Sequence, residues 1–167
     1  IILDPSTGTG TYVCEIIEHA IPNHLLEYKY KNEILANEVA ILPYYIANLN
    51  IEYTFKQKMN YYAEFPNLCF VDTLDNVHGL VHGMGAKIDN YKSTGNLFAI
   101  SSENSERINR QNTKKVSVII TNPPYNANQL SENENNKNRE YPFIDKRIKD
   151  TYIKHSTAQK TKVYDMY

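Results

Sequence analysis

The tetrapeptide Asn122-Pro123-Pro124-Tyr125 brings together groups suited to holding a planar amine. The Asn122 side-chain oxygen and the Pro123 carbonyl are acceptors, and Tyr125 beside them offers a flat face for stacking. Pro124 fixes its own φ and drives Pro123 toward an extended conformation, so the acceptors sit in a stiff, outward-facing turn. An exocyclic amine on an aromatic ring is a poor nucleophile, because its lone pair is delocalised into the ring. Acceptors on both of its N–H bonds favour tetrahedral geometry and localise that lone pair. Catalysis of this kind is mainly positioning and preorganised dipoles, with no covalent intermediate. Taken alone, a rigid proline turn at a strand end is the simpler reading.

A second motif lies upstream, Asp4-Pro5-Ser6-Thr7-Gly8-Thr9-Gly10. Gly8 and Gly10 let the backbone pass close to a ligand, and the turn aims amide N–H groups at it. A phosphate-binding P-loop needs Gly-Lys-Ser/Thr, and the dinucleotide fingerprint needs a third glycine; both are absent. Glu38 and Asp72 are candidate acceptors further on. A carboxylate at Glu38, after a second strand, can accept both hydroxyls of a ribose. By itself it is an ordinary acid at a helix start. Asp72 ends Phe70-Val71-Asp72-Thr73-Leu74, where a turn or N-cap aspartate is common.

These residues need elements to hold them. Ile1-Ile2-Leu3 reads as the end of a strand, and Tyr12, Val13, Ile16, Ile17 and Ala20 mark one helical face. His24–Tyr30 suits a short helix and Glu33–Asn37 a second strand. Ala40–Ile51 suits a helix with Pro43 tolerable in its first turn. Asn67–Val71 is a third strand. Between Asp75 and Lys115 no strong period is visible, and Gly79, Gly83, Gly85 and Gly95 mark a loop-rich insertion at about 75–115. Val116–Ile120 reads as a buried fourth strand that stops at Thr121 and the prolines. Ser131–Asn138 is polar and Asn-rich, while Ile144–Lys154 and Thr157–Tyr167 suit helices. Alternating strands and helices predict a parallel, doubly wound α/β sheet. The expected order is three-two-one-four, with an exposed edge beyond the fourth strand. Every motif then falls at the carboxyl ends of the strands, where such sheets bind ligands.

The motifs resemble those of the amino-group DNA methyltransferases that use S-adenosylmethionine. Asp4–Gly10 is similar to their cofactor loop and Asn122–Tyr125 to their catalytic loop. Asn-Pro-Pro-Tyr, in place of a Ser-Pro-Pro variant, points to N6-adenine. The stretch from Asn122 to Tyr167 resembles the methylase region of type ISP restriction-modification enzymes. The resemblance implies a truncated Rossmann-like methyltransferase fold of about four parallel strands with flanking helices. Residues 1–167 are then the N-terminal part of a catalytic domain, without a target-recognition domain. It implies Asp4, Pro5, Gly8 and Gly10 around the methionine moiety, Glu38 on the ribose, Val39 on the adenine ring and Asp72 at the cofactor's exocyclic amine. Asn122, Pro123, Pro124 and Tyr125 become catalytic, and a target adenine flipped out of DNA stacks on Tyr125. Helicase and nuclease regions in the same parent chain are expected as partners. Two other readings stay open. Protein-glutamine methyltransferases use the same tetrapeptide on a planar amide, although the Asn-rich tail and long insertion disfavour that substrate. An inactive cofactor-binding fragment is the other.

Composition sets the bounds. A chain of 167 residues is one domain or less, and a hydrophobic share of 41% supports a core. A net charge of −1 excludes a strongly basic nucleic-acid module. The charge is uneven, however: residues 137–167 hold eight Lys and Arg against four Asp and Glu. Such a basic stretch suits a phosphate backbone or a solvated helix face equally. No apolar run approaches the ~20 residues needed to cross a bilayer. No signal peptide is visible, so the expected location is cytoplasmic. The first residue is Ile, which suggests an excised piece of a longer chain. Cys14 and Cys69 have no metal-binding spacing and read as reduced structural thiols. His78 and His82 flank glycines that disfavour a rigid metal site, so no metal is expected.

Overall fold

The computed structural model describes residues 1–74, 76, 102–123 and 141–157. They divide into two units, Ile1–Asn122 and Pro123–Tyr167.

The first unit is built on one sheet. Strands β1 (Ile2–Asp4), β2 (Ile34–Glu38), β3 (Leu68–Phe70) and β4 (Val118–Ile119) are all parallel and lie in the order β3-β2-β1-β4. This is the order the sequence predicts. Register pairs Asp4 with Ala36 and Glu38 with Phe70, so β2 and β3 end level with each other, two residues beyond the end of β1. Strand β2 is buried along its whole length, as a central parallel strand covered on both faces must be.

Successive residues of β2 and β3 serve opposite faces. Ile34, Ala36 and Leu68 join a core with Val13 and Ile17 of α1 (Thr11–Glu15, continued by a π turn over Ile16–Ala20), Leu26 and Tyr30 of α2 (Asn23–Asn32), and Ala47, Ile51 and Phe55 of α3 (Ile41–Met59). At its centre Tyr30 stacks on Phe55 with ring centroids 4.0 Å apart, and its hydroxyl donates to the Ala63 carbonyl at 3.0 Å. The other face carries Cys69 and Val71, packed on Ile108 of α4 (Ser102–Asn112).

Helix ends are closed by side chains from elsewhere. Lys58 Nζ, on α3, donates to the carbonyls of Ile17, Glu18 and Ile21 at 2.6–2.9 Å, satisfying the end of the π turn. Helix α3 stops at Asn60, whose φ of 61° is left-handed and whose N–H returns to the Lys56 carbonyl. Pro43 falls in the first turn, as expected, where an N–H has no helical partner.

Three differences from the sequence reading are informative. Helix α3 runs past Ile51 to Met59, because Glu52 and Phe55 keep to its buried side. The loop-rich reading of 75–115 gives way over Ser102–Asn112 to helix α4. Its inward stripe is Asn104, Arg107, Ile108 and Gln111, at helical spacing but almost entirely polar, so no apolar period announces it. Residues 77–101 lie outside the described residues. Finally, β4 is not buried: Val118 and Ile119 are 51% and 65% exposed, and among the described residues β4 is an edge of the sheet.

Helix α4 closes the opposite edge. The Asn104 side chain accepts from Phe70 N at 2.8 Å and donates to Phe70 O at 2.9 Å, taking both backbone groups that a further strand would need. Arg107 and Arg110 reach the Leu68 and Pro66 carbonyls beside it.

The second unit contains α5 (Pro142–Ile148), which begins with a proline and continues as a π turn over Lys149–Ile153. This matches the helix expected over Ile144–Lys154. Residues 131–138 and 158–167 lie outside the described residues. No helix among the described residues is long and apolar enough to cross a membrane.

Candidate functional site

The turn after β1 is held from every side. Gly8 and Gly10 both have positive φ, 56° and 88°. Only Gly8 has open space where a side chain would begin. A Cβ at Gly10 would stand 3.2 Å from Ile51 and 3.4 Å from the Ala47 backbone, so Gly10 lets α1 approach α3. Thr7 N donates to Asn37 O at 2.9 Å, Gly10 N to Thr7 O at 2.8 Å, and Asn50 Nδ2 of α3 to Thr9 O at 2.9 Å.

Glu38 ends β2 and its carboxylate folds back on the same turn. Oε2 accepts from Gly8 N at 2.8 Å, while Oε1 accepts from Val39 N at 2.9 Å and Ala40 N at 2.7 Å. The acid therefore holds both the glycine turn and the approach to α3. Val39, next to it, is exposed.

Asp4 ends β1 and is 1% exposed. Its Oδ1 accepts a long 3.3 Å bond from Ser6 N. Among the described residues, Asp4 Oδ2, Thr7 Oγ1 and Thr121 Oγ1 are buried without a hydrogen-bond partner. Loss of solvent raises the Asp4 carboxyl above its ordinary range. The Ser6 N–H pulls the other way, and the Glu38 charge adds to the rise. A buried acid with an unused acceptor atom fits a ligand that brings a cationic or N–H donor.

Asp72 follows β3. Its Oδ1 accepts from Leu74 N at 3.0 Å in an Asx turn, the ordinary use of such a residue. Thr73, beside it, donates to the Pro5 carbonyl at 2.7 Å and thereby touches the glycine turn. Asn122 and Pro123 follow β4 and are exposed. Ile120 N pairs with Leu3 O at 3.1 Å, which ties the start of this loop to β1. Pro124 and Tyr125 lie outside the described residues.

Asp4, Pro5, Gly8, Gly10, Glu38, Val39 and Asp72 thus gather at the carboxyl ends of β1, β2 and β3, with Asn122 at the end of β4. Sequence reasoning missed Thr7, Thr73, Asn37, Gln111 and Thr121. Thr7 and Thr73 sit inside recognised motifs, but a threonine in a turn gives no signal of its own. Gln111 lies in the helix that had no visible period. Among the described residues no group of His, Cys, Asp and Glu could hold a metal ion.

Several solved structures are similar to this chain, three of them as follows. The DrdV–DNA complex, seen by cryo-electron microscopy, matches with 55% identity and a TM-score of 0.81, over 99% of this chain and 15% of that one. A nuclease-deletion mutant of the type ISP restriction-modification enzyme LlaGI, in complex with a DNA substrate mimic, matches with 35% identity and a TM-score of 0.70, over 95% and 13%. The ATP-dependent type ISP restriction-modification enzyme LlaBIII bound to DNA matches with 30% identity and a TM-score of 0.76, over 99% and 11%. This chain therefore spans a small part of each. No curated protein matches. Residues 1–158 match the family described as RMKL-like, methyltransferase domain. With the strand order, the acids at the strand ends and this match over nearly its whole length, the chain belongs to the RMKL-like methyltransferase domain family.

Proposed function

We propose that this chain is the cofactor-binding and catalytic part of an N6-adenine DNA methyltransferase within a restriction-modification enzyme. The observation that carries the reading is the cluster of Asp4, Glu38 and Asp72 at three neighbouring strand ends, with Asn122 after the fourth. The DNA-bound state of the similar restriction-modification enzymes supports DNA as the partner. Helicase and nuclease regions are proposed to lie in the same longer chain.

S-adenosylmethionine supplies an electrophilic methyl group when bound. The rest is done by this chain. Asp4 would accept from the amino group of the methionine moiety, with the Gly8–Gly10 backbone beside it. Glu38 would hold the ribose hydroxyls, Val39 the adenine ring and Asp72 that ring's amine. Asn122 Oδ1 and the Pro123 carbonyl would accept the N–H bonds of the target amine and localise its lone pair; N–C forms as the sulfonium S–C bond breaks, and the methylated amine then releases a proton to solvent. Tyr125 stacks on the flipped base.

The test is transfer of labelled methyl to DNA by the full-length protein, followed by nucleoside analysis. Label is expected on N6 of adenine. Asn122→Ala should abolish transfer while S-adenosylmethionine still binds, because a lost preorganised acceptor costs about 3–4 kcal/mol of transition-state stabilisation. The 167-residue chain alone should show little or no transfer. Label on cytosine or on protein glutamine, or full activity in Asn122→Ala, would refute the reading.

A further inference from the structure

A directional chain of buried hydrogen bonds ends on the glycine turn. Cys69 Sγ donates to Gln111 Oε1 at 3.3 Å, and Gln111 Nε2 to Asn37 Oδ1 at 2.7 Å. Asn37 Nδ2 donates to Thr73 Oγ1 at 2.9 Å, and the Thr73 hydroxyl to the Pro5 carbonyl at 2.7 Å. Cys69, Gln111 and Asn37 are all buried. The chain crosses β3, α4, β2 and the turn after β3 before it reaches the turn after β1. Burial pushes the Cys69 thiol up to about 12, so it stays protonated and serves as the first donor.

The last bond has a geometric consequence. The Pro5 carbonyl and the Ser6 N–H belong to one peptide plane, and no described peptide is cis. They point in opposite directions. Anchoring the carbonyl on Thr73 therefore aims the N–H at Asp4, where it makes the 3.3 Å bond to Oδ1. Asn37 holds the next peptide as well, since its own carbonyl accepts from Thr7 N. A satisfied buried polar network fixes one arrangement where apolar side chains would tolerate several.

We infer that Thr73 is a positioning residue, which sets the Pro5–Ser6 peptide plane and through it the Asp4 carboxylate, with Asn37 and Gln111 holding Thr73 in place. The consequence for cofactor affinity rests on the proposed function; the consequence for the turn does not.

The experiment uses the full-length protein with Thr73→Val, Thr73→Ser and Gln111→Leu. S-adenosylmethionine affinity is read by calorimetry, and amide exchange at Ser6 and Thr7 by mass spectrometry or NMR. Thr73→Val should speed exchange at Ser6 and weaken binding about tenfold, the worth of one well-placed hydrogen bond. Thr73→Ser keeps the hydroxyl and should restore both. Gln111→Leu should shift both in the same direction by a smaller factor, and it carries the test if Thr73→Val does not fold. Unchanged Ser6 exchange in Thr73→Val overturns the inference, as does a Thr73→Ser protein as impaired as Thr73→Val. Binding within about twofold of the unaltered protein also overturns it. If the unaltered protein binds no S-adenosylmethionine, the proposed function falls, and the exchange comparison still decides the role of Thr73.

Discussion

The amide of Gly8 donates a 2.8 Å hydrogen bond to Glu38 Oε2, so the turn after the first strand is closed onto the acid that ends the second. The same carboxylate takes the Val39 and Ala40 N–H groups. Glu38 is thus both a structural clasp and a candidate ligand residue, and its replacement should show in two separate measurements.

Glu38→Ala leaves these N–H groups without their charged acceptor. Denaturant unfolding should show a loss of about 2 kcal/mol. S-adenosylmethionine affinity, followed by calorimetry, should fall well beyond what the lost stability explains. Equal binding by both proteins removes Glu38 from the ligand site.

Asp4 predicts a trade between stability and binding. Its carboxyl is raised by burial, so the folded state holds the proton more tightly than the unfolded chain. Stability from this group is therefore greatest below the ordinary carboxyl value of 3.8 and falls as pH rises through the raised folded value. Asp4→Asn removes that penalty. It should raise the melting temperature at neutral pH, flatten the pH dependence in the mildly acidic range and weaken S-adenosylmethionine binding. A variant less stable at neutral pH would show that the Asp4 charge is compensated.

Asn104→Leu tests the closed edge of the sheet. Removing the paired amide leaves Phe70 N and O without partners, at a cost of about 1–3 kcal/mol. The freed edge should also promote self-association, seen as a rise in sedimentation coefficient with concentration. An unchanged melting curve would show that Asn104 does not seal β3.

Lys58→Met keeps the aliphatic stem and removes the ammonium that closes the helix ending at Ala20. Bonds from a charged donor suggest a loss of about 1.5–3 kcal/mol, measured by unfolding, with S-adenosylmethionine affinity unchanged. A loss of affinity as large as that of Glu38→Ala would mean that α1 transmits its strain to the glycine turn.

The sheet was legible in the sequence because its strands are short apolar runs that end in polar punctuation. Ile2–Asp4 and Ile34–Glu38 end on an acid, Leu68–Phe70 is followed by one two residues later, and those acids are the site candidates. Helix α4 was not legible, because apart from Ile108 its inward stripe is two amides and an arginine, which hydrogen-bond to backbone and side-chain groups of other elements. Periodicity of apolar residues cannot report a face that is buried by hydrogen bonding. Thr73 was hidden for a related reason: its role depends on which strand end stands next to which.

The seal that Asn104 places on Phe70 gives this sheet a direction. One margin has its backbone groups taken, while Val118 and Ile119 at the other remain largely uncovered. Among the described residues, the margin left open to an added strand is the one next to β4. Each such addition moves β1 and β4 inward. The carboxylate of Asp4 and the loop that begins at Asn122 then come to lie near the middle of a wider sheet, braced on both flanks, and not at its rim.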